Sequence, residues 1–168
     1  MAELIVLRLI HILGGILWLG SGVFTLFFLQ PAMIKAGPGA AGPIMANLQQ
    51  RRMFTILPIV ALLTILSGIR IMMIVSAGSP QWFQSPMGST FSISGALAIL
   101  SFLTAILIAR PATVRMGKLA QSAIPDGASK EARDAQIRSL QKRAAWSTQV
   151  AVGLLILAAA GMAVARYM

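Results

Sequence analysis

The 168-residue chain contains no cysteine, only four acidic residues and a single histidine. The lack of cysteine excludes disulfides, zinc–thiolate sites, iron–sulfur clusters and thiol nucleophiles. Charged residues make up 11% of the chain and hydrophobic residues 57%, whereas a soluble domain is about a quarter charged. So few polar groups cannot cover a water-facing surface. This excludes the soluble enzyme classes and, despite the net charge of +10, a nucleic-acid-binding domain.

Four segments are apolar and long enough to cross a bilayer, whose hydrocarbon core needs about 20 residues per helix. The dipeptides Gln30-Pro31 and Arg110-Pro111 mark the expected ends of the first and third, because proline interrupts a helix. The sequence therefore predicts an all-α integral membrane protein, an antiparallel four-helix bundle in which residues 1–168 form a single transmembrane domain. The predicted spans are residues 4–29, 53–75, 91–109 and 144–165.

Basic residues are concentrated in two of the three loops. The first and third loops hold eleven of the 14 Lys and Arg residues, and the second loop has none. Lys and Arg accumulate on the cytoplasmic side, so the chain is predicted to lie in a bacterial inner membrane with periplasmic N- and C-termini. Within the third loop, a turn at Pro125-Asp126-Gly127 precedes an amphipathic helix over about 129–143. Ser129 is the expected cap of this helix, which is predicted to continue into span four.

Three ionisable side chains inside the spans, Arg8, His11 and Arg70, are predicted to lie at one depth, roughly 6–10 Å from the periplasmic face at 1.5 Å per residue. An ionisable group at membrane depth is costly unless it is paired or reaches the interface. Arginine keeps its proton, so this set needs an anion. A b-type haem would supply two propionates for Arg8 and Arg70 and an iron for His11. In the alternative, the arginines extend to phospholipid head groups and His11 bonds to a neighbouring helix.

Small residues and one aromatic residue follow His11 on the same helix face. Gly14 and Gly15 would let a flat macrocycle or a neighbouring helix approach closely. Trp18 lies too deep for the outer aromatic belt and is predicted to pack inside the bundle. The haem hypothesis therefore places Gly14, Gly15 and Trp18 in the cofactor site, and the alternative places them in a helix–helix contact.

Methionines near the same face suggest a second metal chemistry. Met72 and Met73, together with His11, are thioether and imidazole groups of the kind that select Cu(I), and either methionine could be the sixth ligand of a haem. Methionine is otherwise an ordinary filler of apolar helices. The spans offer no pair of carboxylates and no glycine-rich phosphate loop, so no catalytic residues are predicted. Their serines and threonines are expected to bond back to their own helices.

A resemblance to known proteins rests on the first two spans. The segment from His11 to Gly20 has the form H-x6-W-x-G, and it is followed by Arg51-Arg52-Met-Phe and a span with Pro58 and Ser67-Gly68. This pattern resembles the CopD-like and HemJ-like superfamily of small bacterial membrane proteins, and a four-helix relative fits in size. The resemblance implies a helical bundle with His11 as a haem b or copper ligand. HemJ-like proteins oxidise protoporphyrinogen, and CopD-like proteins are implicated in copper transfer.

Four functions follow as hypotheses. The leading one is a non-catalytic cofactor-binding or accessory membrane subunit that holds a periplasm-side b-type haem. The second is a structural subunit of a larger respiratory or photosynthetic complex without its own cofactor. The third and fourth are a HemJ-like oxidase and a CopD-like copper transfer protein. The expected partners are membrane lipids and other membrane subunits or a second copy of the chain, and not nucleic acid.

Overall fold

A computed structural model of the chain describes residues 1–121 and 128–168, without the side chains of residues 38–42, 120–121 and 128–129. All elements in these residues are helical. They are α1 (Ala2–Phe24), a π-helical segment (Thr25–Leu29), α2 (Gln30–Ala36), α3 (Pro38–Gln50), α4 (Met53–Ser76), α5 (Pro80–Gln84), α6 (Pro86–Thr104), a second π-helical segment (Ala105–Ala109), α7 (Arg110–Gln121), α8 (Ala128–Val164) and a 3-10 turn (Ala165–Tyr167).

Four helical runs within the described residues are long and apolar enough to cross a membrane, as the sequence predicted. Three of them join more than one of the elements above, because consecutive helices follow one another without a break. The fourth begins in the basic third loop. The runs are Ala2–Ala36, Met53–Ser76, Pro86–Leu119 and Lys130–Tyr167.

The predicted helix ends at Gln30-Pro31 and Arg110-Pro111 are wrong, because the helices continue through both prolines. In each case a π-helical segment comes just before the proline. The backbone N–H of Gln30 donates to the carbonyl of Thr25, and that of Arg110 to the carbonyl of Ala105, five residues back in both cases. A proline lacks an N–H, and its ring presses against the carbonyl four residues earlier. A turn widened by one residue relieves that contact, so the helix continues.

The helix predicted to run through Ile137 and Leu140 into the fourth span is continuous, since α8 extends from Ala128 to Val164. Its first part is joined to the end of α7 by Arg133, whose Nε and Nη2 donate to the carbonyl of Leu119 at 3.0 and 2.7 Å. The predicted turn at 125–127 and the predicted Ser129 side-chain cap lie outside the described part of the chain.

Small side chains form the buried contacts between the helices. Ala98, Leu155 and Ala158 make up a central cluster, and Trp18 packs against it. The Trp18 ring also meets Phe102 edge-on, with centroids 6.3 Å apart. The prediction that Trp18 packs inside the bundle is therefore confirmed. Large apolar side chains such as those of Ile16 and Leu107 are instead exposed, which suits helices that pack through small residues and turn their large ones to lipid.

Hydroxyl side chains in the spans mostly bond to their own helices, as predicted. Ser101 instead bonds to another helix: its Oγ donates to the carbonyl of Ala151 at 2.7 Å and so joins α6 to α8. Both residues are buried. The side chains that bond back within one helix are Thr64, Ser67, Ser92, Thr104, Ser147 and Thr148.

Candidate functional site

The imidazole of His11 lies between α1 and α4 and has one defined partner. Its Nδ1 is 2.8 Å from the carbonyl oxygen of Thr64. A carbonyl oxygen only accepts hydrogen bonds, so Nδ1 is the donor. Ser67 donates to the same carbonyl at 3.0 Å. A histidine held at Nδ1 by a carbonyl is the arrangement that orients Nε2 toward a metal in many proteins.

Glycines on both helices allow α1 and α4 to approach at this point. A Cβ at Gly68 would lie 2.6 Å from Cε1 and 2.9 Å from Nδ1 of His11, so the imidazole occupies the space that a side chain would take. A Cβ at Gly14 would meet Oγ1 of Thr64, and one at Gly15 would lie 3.9 Å from Cγ2 of the same threonine. Gly14 and Gly15 thus contact α4, as the helix-packing alternative expects.

The two arginines predicted to share a site with His11 have different surroundings. Arg70 donates from Nε and Nη2 to Oε1 of Glu3, at 2.9 and 2.8 Å. Glu3 and Arg8 are five residues apart on α1, which places them roughly 140° apart around that helix. Arg8 is exposed and has no ion pair within the described part of the chain. The predicted convergence of Arg8, His11 and Arg70 on one anion stays a prediction.

The methionines proposed as ligands lie on the C-terminal part of α4. Met72 is half-buried and Met73 is 60% exposed. No group of three or more His, Cys, Asp or Glu residues in the described ranges could hold a metal ion. A copper site built from His11 and these thioethers, or a haem with one of them as its sixth ligand, stays a prediction.

The structure contains a feature that the sequence analysis missed, a cavity of about 720 Å³ among all four spanning helices. We call it the inter-hairpin cavity, since it lies between the α1–α4 pair and the α6–α8 pair. Trp18, Ala61 and Leu155 line its inner end, and Gln30 lines the opposite end, which we call its mouth. From Trp18 to Gln30 the helix rises about 18 Å, more than half the thickness of the hydrocarbon core.

Both π-helical segments border the inter-hairpin cavity. Thr25 and Leu29 line it from the first segment, and Ala105 and Ala109 from the second. Each segment is followed by one polar residue and then a proline, so the irregular turns occupy corresponding positions in the two helix hairpins. π-Turns are frequent at functional sites, and matched interruptions in two halves of a membrane protein point to its binding site. The polar residue followed by proline, which occurs after the π-helical segment of each hairpin, was the one sequence feature that could have indicated this site.

The mouth of the cavity is electropositive. Arg110 and Lys142 line it together with Gln30 and Gln141, and the described lining residues include no carboxylate. Most of the remaining lining is apolar, including Phe54 on α4. The described lining contains serine and threonine hydroxyls but no histidine or carboxylate. These hydroxyls therefore have no neighbouring base of the kind that activates a nucleophile. The arrangement suits binding of a molecule with one apolar and one polar end.

Comparison of the chain with protein-family models, curated proteins and solved structures finds no match. The resemblance to the CopD-like and HemJ-like superfamily therefore stays a prediction.

Proposed function

We propose that this chain is a multi-pass subunit of a bacterial inner membrane that binds a membrane-soluble amphiphile between its two helix hairpins. The observation that carries the proposal is the inter-hairpin cavity, which all four spanning helices line and both π-helical segments border. Its volume of about 720 Å³ falls within the range of small-molecule sites, about 300–1,000 Å³. The function is non-catalytic binding, in keeping with an accessory role in the membrane.

The topology we propose is an antiparallel four-helix bundle with both termini on the periplasmic side. Contacts between α1 and α4 support opposite helix directions, because Glu3 meets Arg70 whereas His11, further along α1, meets the earlier residue Thr64. The concentration of Lys and Arg in the first and third loops supports the orientation. In this orientation the electropositive mouth of the cavity faces the cytoplasm.

A matched pair of substitutions tests ligand binding. Ala145 lines the cavity, whereas Ala160 on the same helix is exposed and lies outside the lining. Ala145→Phe fills part of the cavity, and Ala160→Phe adds the same volume elsewhere. Native mass spectrometry from mild detergent should detect a retained small molecule on the wild type and on Ala160→Phe, and loss of most of it on Ala145→Phe. A wild type without any bound molecule, or equal retention by both variants, contradicts the proposal.

A b-type haem bound through His11 is the second candidate function. The hydrogen bond from Nδ1 to the carbonyl of Thr64 favours it, since it leaves Nε2 as the ring nitrogen that could bind iron. The surroundings fit a haem poorly, because Arg70 is paired with Glu3 and the imidazole fills the space over Gly68. His11 would supply the axial ligand, and the iron would supply redox chemistry.

The test of the haem candidate is a visible absorption spectrum with metal analysis, after expression with added haem. A Soret band that His11→Ala removes supports it. A featureless spectrum refutes haem binding. Stoichiometric copper that is lost when Met72 and Met73 are replaced would instead support the copper alternative.

A further inference from the structure

We infer that the occupant of the inter-hairpin cavity is a lipid with an anionic head group, an inference that rests on the proposed ligand-binding function. Arg110 and Lys142 come from different hairpin helices, α7 and α8, and both line the mouth of the cavity. With no carboxylate in the described part of the lining, nothing there neutralises them. A basic pocket between spanning helices on the cytoplasmic side is a known form of anionic-lipid site.

The electropositive surface extends beyond the mouth itself. A neighbouring crevice of about 230 Å³ is lined by Arg115 and Arg143, with Leu107 and Leu140 between the helices. The same two helices, α7 and α8, therefore contribute four basic side chains to the mouth and to the neighbouring crevice. Gln30 and Gln141 add amide donors at the mouth. Together these groups match a phosphate-bearing head group, which accepts several hydrogen bonds at once.

The depth of the cavity favours a lipid over a free anion. A free phosphate would occupy the mouth alone and leave the apolar interior without a ligand. The apolar lining continues inward for about 18 Å, measured along α1 from Gln30 to Trp18. An acyl chain lying along this path would contact Leu29 and Phe102 while the head group stays at the bilayer surface. The two parts of the cavity thus match the two parts of one lipid molecule.

Trp18 provides an intrinsic reporter at the inner end of the cavity. The chain has three tryptophans, so Trp82→Phe with Trp146→Phe leaves Trp18 as the single emitter. This protein is reconstituted in phosphatidylcholine vesicles that contain small fractions of phosphatidylglycerol or phosphatidylcholine with brominated chains, which quench tryptophan on contact. A second protein that keeps only Trp146, which is 59% exposed, reports quenching by the surrounding bilayer.

The expected result is selective quenching of Trp18. Brominated phosphatidylglycerol should quench Trp18 at a mole fraction about tenfold lower than brominated phosphatidylcholine, since each basic residue near a membrane surface attracts anionic lipid. Trp146 should show a much smaller preference. Arg110→Gln with Lys142→Gln should remove the preference at Trp18. Lys130→Gln with Arg138→Gln removes the same net charge from exposed positions outside the lining and should preserve it.

Two outcomes would overturn the inference in different ways. Equal quenching of Trp18 by both brominated lipids, or loss of the preference in the Lys130 and Arg138 control, would refute selection of an anionic head group while leaving lipid binding intact. Trp18 that neither lipid quenches would refute entry of a phospholipid into the cavity, whereas the proposed function would fail only if the mass-spectrometry comparison of Ala145→Phe with Ala160→Phe also showed no bound molecule.

Discussion

Gly68→Ala is the most direct test of how α1 and α4 are held together. The new methyl group would lie 2.6 Å from Cε1 of His11, so the imidazole must move. Movement of the ring breaks the hydrogen bond from Nδ1 to the carbonyl of Thr64, which now measures 2.8 Å. The change therefore adds a clash and removes a hydrogen bond within one helix pair.

The expected cost is the sum of these two effects, less the gain in helix propensity. Overpacking a close contact costs about 1–3 kcal/mol. A hydrogen bond between membrane helices is worth about 0.6–1.7 kcal/mol. Replacing glycine by alanine within a helix contributes up to about 1 kcal/mol of stability. We therefore expect Gly68→Ala to lower the free energy of unfolding by about 1–4 kcal/mol.

The sign of the effect should change when His11 is absent. In a His11→Ala background the added methyl group at position 68 meets no imidazole, so only the propensity gain remains and Gly68→Ala should be neutral or stabilising. Unfolding by SDS in mixed micelles, followed by circular dichroism, measures both backgrounds. Gly20→Ala is the control, since nothing lies within 4 Å of a Cβ at that position, and it should not destabilise the protein. An equal cost of Gly68→Ala with and without the imidazole would refute the proposed clash.

Three further substitutions can be measured in the same unfolding assay. Ser101→Ala removes the donor to the carbonyl of Ala151 and should cost about 0.6–1.7 kcal/mol; a neutral result would mean that this bond does not hold α6 to α8. Glu3→Gln removes the ion pair with Arg70, whose two side chains are more than half exposed. The free energy of unfolding should therefore fall by less than about 1 kcal/mol. A larger decrease would contradict an exposed ion pair. Ala77 follows the last residue of α4 and has a φ of 50°, a backbone conformation that glycine adopts more readily than alanine. Ala77→Gly should therefore stabilise the protein by about 1 kcal/mol. Destabilisation would contradict this backbone geometry.

Hydropathy was sufficient to find the four spans, because a continuous run of about twenty apolar residues is typical of a membrane-spanning helix and rare in other structures. It could not locate the helix ends at Pro31 and Pro111. The usual rule ends a helix at proline, and whether a π-helical segment forms instead depends on contacts with neighbouring helices. The hydroxyl side chains were largely predictable for the opposite reason, since their partners lie on the same turn. Ser101 escaped that rule because its acceptor belongs to α8.

The candidate site was harder to predict than the fold. The positions of His11 and Arg70 along their spans suggested that both lie near one end of the α1–α4 pair. The position of a residue along a helix does not show toward which neighbour its side chain points. Arg70 turned to Glu3, a partner that the sequence analysis did not assign to it. The inter-hairpin cavity is a property of the spacing between helices, and its lining consists of ordinary membrane residues such as Leu29 and Ala105. Only the matched residue–proline pairs marked its location.

The length of α8 has a mechanical consequence. Its 37 residues amount to a rod of about 55 Å, nearly twice the hydrocarbon thickness. One end is anchored to α7 through Arg133, and the middle borders the cavity at Ala151. A tilt imposed on the projecting end would be transmitted along an unbroken backbone to the cavity wall. A protein that bound the basic N-terminal part of α8 and tilted it would therefore change the position of the cavity wall.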